Sequence, residues 1–280
     1  MNRKISYFPG CSLATSAKEN NESLLALCRR LKVDLVELPD WNCCGSSSAH
    51  SVNRDLAFDL AARNLSLAPA GRPLLAACPN CLLRLQEAHM HLSREPAARE
   101  RHKKNGFRPM APDLEILHFF ELLDGLEAGD LARGVKKNLK GLSFVPYYGC
   151  MLARPPVLRR EKNYHGLMER VLAGVGAQPL PWSHGARCCG TFLSVVRPDV
   201  VEPMVTDIMK AAQRARADCI VTACAMCHLN LEARGPRGSG IPILYFSELL
   251  SLAFGVGRPE GWFSRHLTDP RPLLDARGLL

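Results

Sequence analysis

The sequence predicts an α/β protein made of two pseudo-symmetric Cys-Cys-Gly domains. Each is a small, mostly parallel sheet with flanking helices, and the cysteines sit at the carboxyl ends of the strands. Three observations lead there. Ten of the twelve cysteines form two matching sets of five. In the first set the order is Cys11, 31 residues, Cys43-Cys44, 33 residues, then Cys78-Pro79-Asn80-Cys81. In the second it is Cys150, 37 residues, Cys188-Cys189, 34 residues, then Cys224-Ala225-Met226-Cys227. Strand-like runs alternate with helical periodicities, which favours a parallel sheet, and each cysteine group follows such a run, where open α/β sheets bind ligands.

The first half reads in order as follows. Residues 4–9 alternate and include aromatics, so they form a strand ending at Gly10-Cys11. Glu19 to Leu31 spaces Leu24, Leu27, Cys28 and Leu31 at helical intervals, which makes Cys28 a core residue. Val33 to Leu38 alternates as a strand that Pro39 stops before Cys43-Cys44-Gly45. Asn53 to Leu67 is helical, and Leu74 to Ala77 is a buried strand leading into Cys78. Pro79 then occupies a first helical turn, where proline is tolerated, and Asn80 to His91 continues that helix.

The second half repeats the order. Leu142 to Tyr148 is a strand ending at Gly149-Cys150, Tyr164 to Ala173 a helix, and Gln178 to Trp182 a weak extended segment before Cys188-Cys189-Gly190. Asp199 to Arg216 is a helix, and Asp218 to Ala223 a strand with Cys219 inside it, in the core. Both halves close alike, on Leu117-His118-Phe119-Phe120-Glu121 and Leu244-Tyr245-Phe246-Ser247-Glu248. The closing segment comes 36 residues after Cys81 but 17 after Cys227, so the first copy carries about 19 extra residues, the charged piece around 92–112. The domains are placed at 1–141 and 142–280.

Composition narrows the function. The chain has 280 residues, 47% hydrophobic, enough for a proper core. No apolar stretch reaches signal-peptide length at the N-terminus, and no window approaches the roughly 18 apolar residues of a membrane span, so a cytoplasmic location is expected. Thiols stay reduced there, and a dense set reads as metal-binding or catalytic rather than disulfide-forming. The net charge of +9 is spread over both halves, and no basic tract interleaves with aromatics, which argues against a nucleic-acid partner. The local basic excess from Arg94 to Arg108 reads as a solvated surface.

Thiolates are soft ligands that select zinc, copper(I) or iron-sulfur centres. Zinc takes four ligands, so zinc in each half would leave one thiol idle; a fifth ligand argues for a multi-iron cluster. Helices opening at Cys78 and Cys224 would direct free amides at thiolate or sulfide. A thiol-disulfide exchange site at Cys78 and Cys81 alone leaves three cysteines of that set unexplained.

Six segments carry a resemblance: Tyr7-Phe8-Pro9-Gly10-Cys11, Trp41-Asn42-Cys43-Cys44-Gly45, Ala77-Cys78-Pro79-Asn80-Cys81, Tyr148-Gly149-Cys150, Arg187-Cys188-Cys189-Gly190 and Cys224-Ala225-Met226-Cys227. On these the chain resembles the B subunit of heterodisulfide reductase over nearly its whole length. The resemblance implies two noncubane 4Fe-4S clusters, with Cys11, Cys43, Cys44, Cys78 and Cys81 as ligands of one and Cys150, Cys188, Cys189, Cys224 and Cys227 of the other. It implies reductive cleavage of a disulfide between the clusters, each sulfur caught by an iron of one cluster. The substrate would be a disulfide, a thiol or protein-bound lipoate-type sulfur, the last as in complexes of bacterial sulfur oxidation. The chain lacks a Gly-x-Gly-x-x-Gly motif for a flavin or nicotinamide, and the partners implied by the resemblance are a flavin-containing A subunit and an iron-sulfur C subunit.

Other readings stay open: a protein passing electrons to quinone, or a zinc-stabilised scaffold. No catalytic side chain is assigned beyond the clusters. His50 and His228 follow cysteine motifs and are candidate proton donors, and His184 precedes Cys188; for each, a surface or hydrogen-bonding role is the plainer reading. Trp41 and Trp182 are expected to pack over loops. The tail from Gly257 to Leu280, rich in Arg and Pro, is expected on the surface or against a partner.

Overall fold

The computed structural model describes residues 3–124, 133–153, 164–236, 238 and 240–280. It contains two four-stranded sheets in which every strand pair is parallel. The first comprises β1 (Arg3–Phe8), β2 (Val33–Glu37), β3 (Leu74–Ala76) and β4 (Ile116–Leu117), in the order β2-β1-β3-β4. The second comprises β5 (Ser143–Tyr147), β6 (Gln178–Pro179), β7 (Cys219–Thr222) and β8 (Ile243–Tyr245), in the order β6-β5-β7-β8. The duplication read from the cysteines is therefore a duplication of topology. In each sheet the chain runs outward to one side of the first strand and then to the other, which opens a crevice at the carboxyl ends of β1 and β3, or of β5 and β7.

The strands and long helices fall where periodicity puts them, with small shifts. The helix expected from Tyr164 begins at Leu167, behind a left-handed Gly166 (φ 82°). β6 is only two residues long, because Pro179 and Pro181 have no N–H to give a ladder. The closing segments prove to be an edge strand followed by a helix, Phe119–Asp124 in one half and Phe246–Ala253 in the other. Each helix is started the same way: Glu121 accepts the His118 amide at 3.0 Å, and Glu248 accepts the Tyr245 amide at 2.9 Å. The charged piece around 92–112 holds the end of the helix Pro79–Arg94 and a further helix, Pro96–Lys104, which Arg101 ties to Asp55 (3.0 Å) and Asp59 (3.1 Å) of the helix Arg54–Leu67.

The halves join reciprocally. The helix Lys18–Arg30 of the first packs on Phe246–Ala253 of the second, and Leu167–Gly174 of the second packs on Phe119–Asp124 of the first. Hydrogen bonds Ser23–Ser247 (2.8 Å), Ser247 to Asn20 (2.9 Å) and Ser251 to the Ser23 carbonyl (2.9 Å) stitch the first contact. At the centre, the fully buried Phe120 packs edge-to-face against Tyr148, Tyr164 and Phe246 at 5.2–6.3 Å. One apolar core runs through both halves, and a smaller one lies between β5, β7 and the helix Pro198–Arg214.

The C-terminal tail departs from expectation. Trp262, Phe263, Leu274 and Leu279 are buried, Lys137 donates to the Leu279 carbonyl (3.1 Å), and Arg277 pairs with Asp218 (2.6 Å). The apolar residues are spaced too irregularly among Arg and Pro to show a periodicity, yet Phe263, Leu274 and Leu279 join the core while Leu267 and Leu280 stay exposed. Trp41 and Trp182 do cover the ends of their sheets: Trp41 packs edge-on to Phe8 at 5.5 Å, and Trp182 donates to the Pro146 carbonyl at 2.9 Å.

Candidate metal centre

Each set of five cysteines comes together at the crevice of its own sheet. Cys11 opens the short helix Gly10–Ala14 after β1, Cys43 and Cys44 follow β2, and Cys78 and Cys81 flank the first turn of the helix Pro79–Arg94 after β3. In the second half Cys150 lies in the helix Gly149–Ala153 after β5, Cys188 and Cys189 follow β6, and Cys224 and Cys227 lie at the start of the helix Ala225–Arg234 after β7. Cys11 Sγ is 3.5 Å from Cys43 Sγ, and Cys44 Sγ is 3.1 Å from Cys81 Sγ; Cys189 Sγ and Cys227 Sγ are 3.6 Å apart. Cys78 contacts Cys81, and Cys150 contacts Cys188, through their side chains. All twelve cysteines are free thiols, and these separations far exceed the ~2.05 Å of a disulfide.

Each set has a wet edge and a dry base. Cys11 and Cys188 are exposed and Cys43 and Cys150 half-buried, while Cys44, Cys78, Cys81, Cys189, Cys224 and Cys227 are buried. Crowded sulfurs share protons unequally. The Cys11 thiol, donating to Cys43, holds Cys43 down at about 2, with help from Cys44 and the Gly45 amide, and Cys11 itself is pushed up. Cys78 is lowered to about 7 by Cys81 and by the amides of Cys81 and Asn80, which outweigh burial. In the second set Cys150 and the Gly190 amide (3.3 Å) bring Cys188 to about 6, and Cys227, Thr191 and Asn230 lower Cys189. Thiolates stand ready in both sets, and thiolate is the form that ligates metal.

Two glycines let the backbone approach these sulfurs. Gly10 (φ 72°) and Gly149 (φ 66°) adopt the left-handed conformation; a Cβ there would lie 2.9 Å from Cys81 Sγ and 3.1 Å from Cys227 Sγ. The repeated Gly-Cys pair holds this signal in the sequence. Gly10→Ala is expected to destabilise the protein by about 1–3 kcal/mol through backbone strain and displacement of Cys81, measured by denaturant melts under argon.

The two sets meet across the interface through the middle of each Cys-x-x-Cys. Asn80, between Cys78 and Cys81, donates from Nδ2 to Cys224 Sγ of the other half at 3.9 Å, and its Oδ1 is buried without a partner. Met226, its counterpart, receives the Ser12 hydroxyl on Sδ at 3.7 Å. Nothing in the sequence singles out Asn80 or Ser12. Beside Cys188 a surface cavity of about 490 Å³ is lined by Arg187, Met204 and Asp207.

The cysteine-rich domain described as CCG matches twice, at residues 5–86 and 144–232. The chain belongs to the CCG family of cysteine-rich domains. It is 29% identical over 98% of its length to the 8-methylmenaquinol:fumarate reductase membrane anchor subunit of Wolinella succinogenes, covering 100% of that protein. It is 27% identical to the B subunit of the ferredoxin/F(420)H(2)-dependent CoB-CoM heterodisulfide reductase of Methanosarcina acetivorans, over 92% of this chain and 91% of that one. The fold matches the crystal structure of a hypothetical protein from Helicobacter pylori with a TM-score of 0.76 at 14% identity, over 95% of this chain; the chain spans about half of that structure, 52%. The CCG chain is thus a cysteine-rich redox subunit with relatives in two kinds of oxidoreductase complex. Among the described residues no helix is long and apolar enough to cross a membrane.

The histidines take other places. His50 is exposed and lines a surface cavity of about 300 Å³ with Arg54, Phe58, Arg84 and Glu87. His184 bonds Asp207 at 3.0 Å. His228 is buried with Nε2 on the Ile243 carbonyl at 2.9 Å, and its other nitrogen faces Glu232 rather than a thiol. Cys28 and Cys219 are buried in the core, where burial pushes the Cys28 thiol up to about 12 and raises Cys219 further.

Proposed function

We propose that the protein is the iron-sulfur catalytic subunit of a heterodisulfide reductase-like complex and carries out disulfide/thiol redox chemistry at two noncubane 4Fe-4S clusters. The observation that supports this reading is that two complete five-thiol sets gather at equivalent crevices of the two sheets, and that Asn80 of the first Cys-x-x-Cys reaches Cys224 of the second at 3.9 Å. The donor chemistry fits. Five soft sulfurs per set exceed what zinc takes, and several are already held as thiolates by amides and neighbouring thiols. Cys11, Cys43, Cys44, Cys78 and Cys81 would hold one cluster, and Cys150, Cys188, Cys189, Cys224 and Cys227 the other. Such clusters, when bound, supply single electrons and iron sites that accept sulfur.

The chain's own residues arrange the rest. The buried cysteines and aromatic neighbours keep water from the base of each set, while the exposed Cys11 and Cys188 leave a way in for a sulfur substrate. Arg187 and Asp207, paired at 3.5 Å, set both signs of charge beside that entrance. A flavin-containing A subunit and an iron-sulfur C subunit would deliver or remove electrons. The similarity to the heterodisulfide reductase B subunit supports this reading.

A second reading has its own support in the full-length similarity to the fumarate reductase anchor subunit: electron transfer between a quinol and a partner dehydrogenase. Anaerobic purification followed by iron, zinc and sulfide analysis and EPR separates the readings. About eight irons per chain with matching sulfide, and a signal that changes when a thiol is added after oxidation, support disulfide chemistry. A thiol-silent signal that responds to a reduced menaquinone analogue supports the second reading. About two zincs without sulfide removes both.

The Asn80 amide gives a further expectation. Its hydrogen bond to a ligand sulfur favours the reduced, more negative state of the second site. At about 1 kcal/mol net, Asn80→Leu should lower that site's potential by about 40 mV, read by EPR-monitored redox titration, and leave iron content unchanged.

A further inference from the structure

We propose a third metal site, separate from the cysteine sets: a mononuclear zinc site formed by His228, Glu232 and His266. One ligand atom from each lies within 4.8 Å of the other two. His228 and Glu232 stand one turn apart on the helix Ala225–Arg234, which follows Cys224, and His266 comes from the C-terminal tail. The side chains are 4%, 3% and 0% exposed, so any charge they carry is out of water.

The orientation of both rings points inward. His228 Nε2 donates to the Ile243 carbonyl at 2.9 Å, which leaves Nδ1 a lone pair, and that lone pair faces Glu232 Oε2 at 3.7 Å. His266 Nε2 donates to Glu248 Oε1 at 2.9 Å, and its Nδ1 donates to the Ile243 carbonyl at 3.0 Å and lies 3.6 Å from Glu232 Oε1, so zinc binding there displaces the Nδ1 proton. Histidines that bind metal characteristically give their outer N–H to a carboxylate or a backbone carbonyl, and both do so here. Glu232 is itself held by the amides of Leu267 (3.0 Å) and Thr268 (3.3 Å). Ligands about 2.1 Å from a tetrahedral zinc stand about 3.4 Å apart; each histidine is close to that distance from one Glu232 oxygen, at 3.7 and 3.6 Å, while the three ligand atoms together span up to 4.8 Å, so the two rings must draw together on binding.

Charge points the same way. Glu232 and Glu248 are both buried, and a protonated His266 offsets only one of them; a dication bound through neutral imidazoles offsets both. The site is not part of the repeat. The first half has Leu82 and Gln86 at the turns equivalent to His228 and Glu232. Its effect is to clamp the tail to the helix that presents Cys224 and Cys227.

The test is zinc analysis and zinc K-edge absorption on the anaerobically purified, iron-loaded full chain. About one zinc per chain is expected, with nitrogen and oxygen ligands at about 2.0–2.1 Å and no sulfur shell at about 2.3 Å. Glu232→Gln and His266→Ala should lower zinc content at least tenfold, with iron and sulfide retained. Zinc below about a tenth of an equivalent in the wild type, zinc with sulfur ligands, or full zinc in both variants would overturn the proposal. The wild-type spectrum decides even where a variant does not fold.

Discussion

Cys188→Ser is expected to halve the iron and acid-labile sulfide of the anaerobically purified protein, from about eight to about four irons per chain, and to abolish disulfide turnover. Cys188 is the exposed thiol of the second set, held as thiolate by Cys150 and by the Gly190 amide at 3.3 Å. A serine hydroxyl is a hard, protonated ligand that cannot replace it. The first set takes none of its sulfurs from this region, so its iron should stay. Cys43→Ser should give the mirror result. Undiminished turnover in protein shown to hold only four irons would mean that one set suffices, and the two-site chemistry would be wrong.

Phe120→Ala is expected to cost about 3–5 kcal/mol, the range for emptying a fully buried aromatic site. Phe120 is 0% exposed and touches rings from both halves, Tyr148, Tyr164 and Phe246. The cavity would open where the closing helix of one half meets the second half. Denaturant melts under argon measure the loss, and Phe120→Leu should recover most of it. A loss below about 1 kcal/mol would show that the halves are held elsewhere, by the Ser23, Ser247 and Ser251 contacts.

Much of this architecture is legible in the sequence because its signals are local. A strand of alternating residues ending in Gly-Cys, or an adjacent Cys-Cys-Gly, needs no tertiary context to be seen twice. What escapes depends on residues distant in the chain. Asn80 and Cys224 are 144 positions apart, and no spacing rule links a Cys-x-x-Cys in one half to a sulfur in the other. His266 lies among Arg and Pro residues, where nothing marks it as buried; only the folded tail brings it to Glu232. The tail itself reads as surface because its apolar side chains, scattered among Arg and Pro, make no pattern. His228 draws notice for its place after Cys227, but on a helix the neighbour in sequence points away from the neighbour in space, so its ring turns from the sulfurs toward Ile243 and Glu232.

The reciprocal packing of each half's first long helix on the other's closing helix has the form of an isologous dimer written into one chain. A true homodimer must carry the same residue at both copies of every position. Fusion lifts that obligation: this chain places Asn80 at one crossing point and Met226 at the other, and keeps His228 and Glu232 where its first half has Leu82 and Gln86. Covalent linkage is thus what allows two copies of one ancestral site to acquire different chemical temperaments while still sharing a single seam.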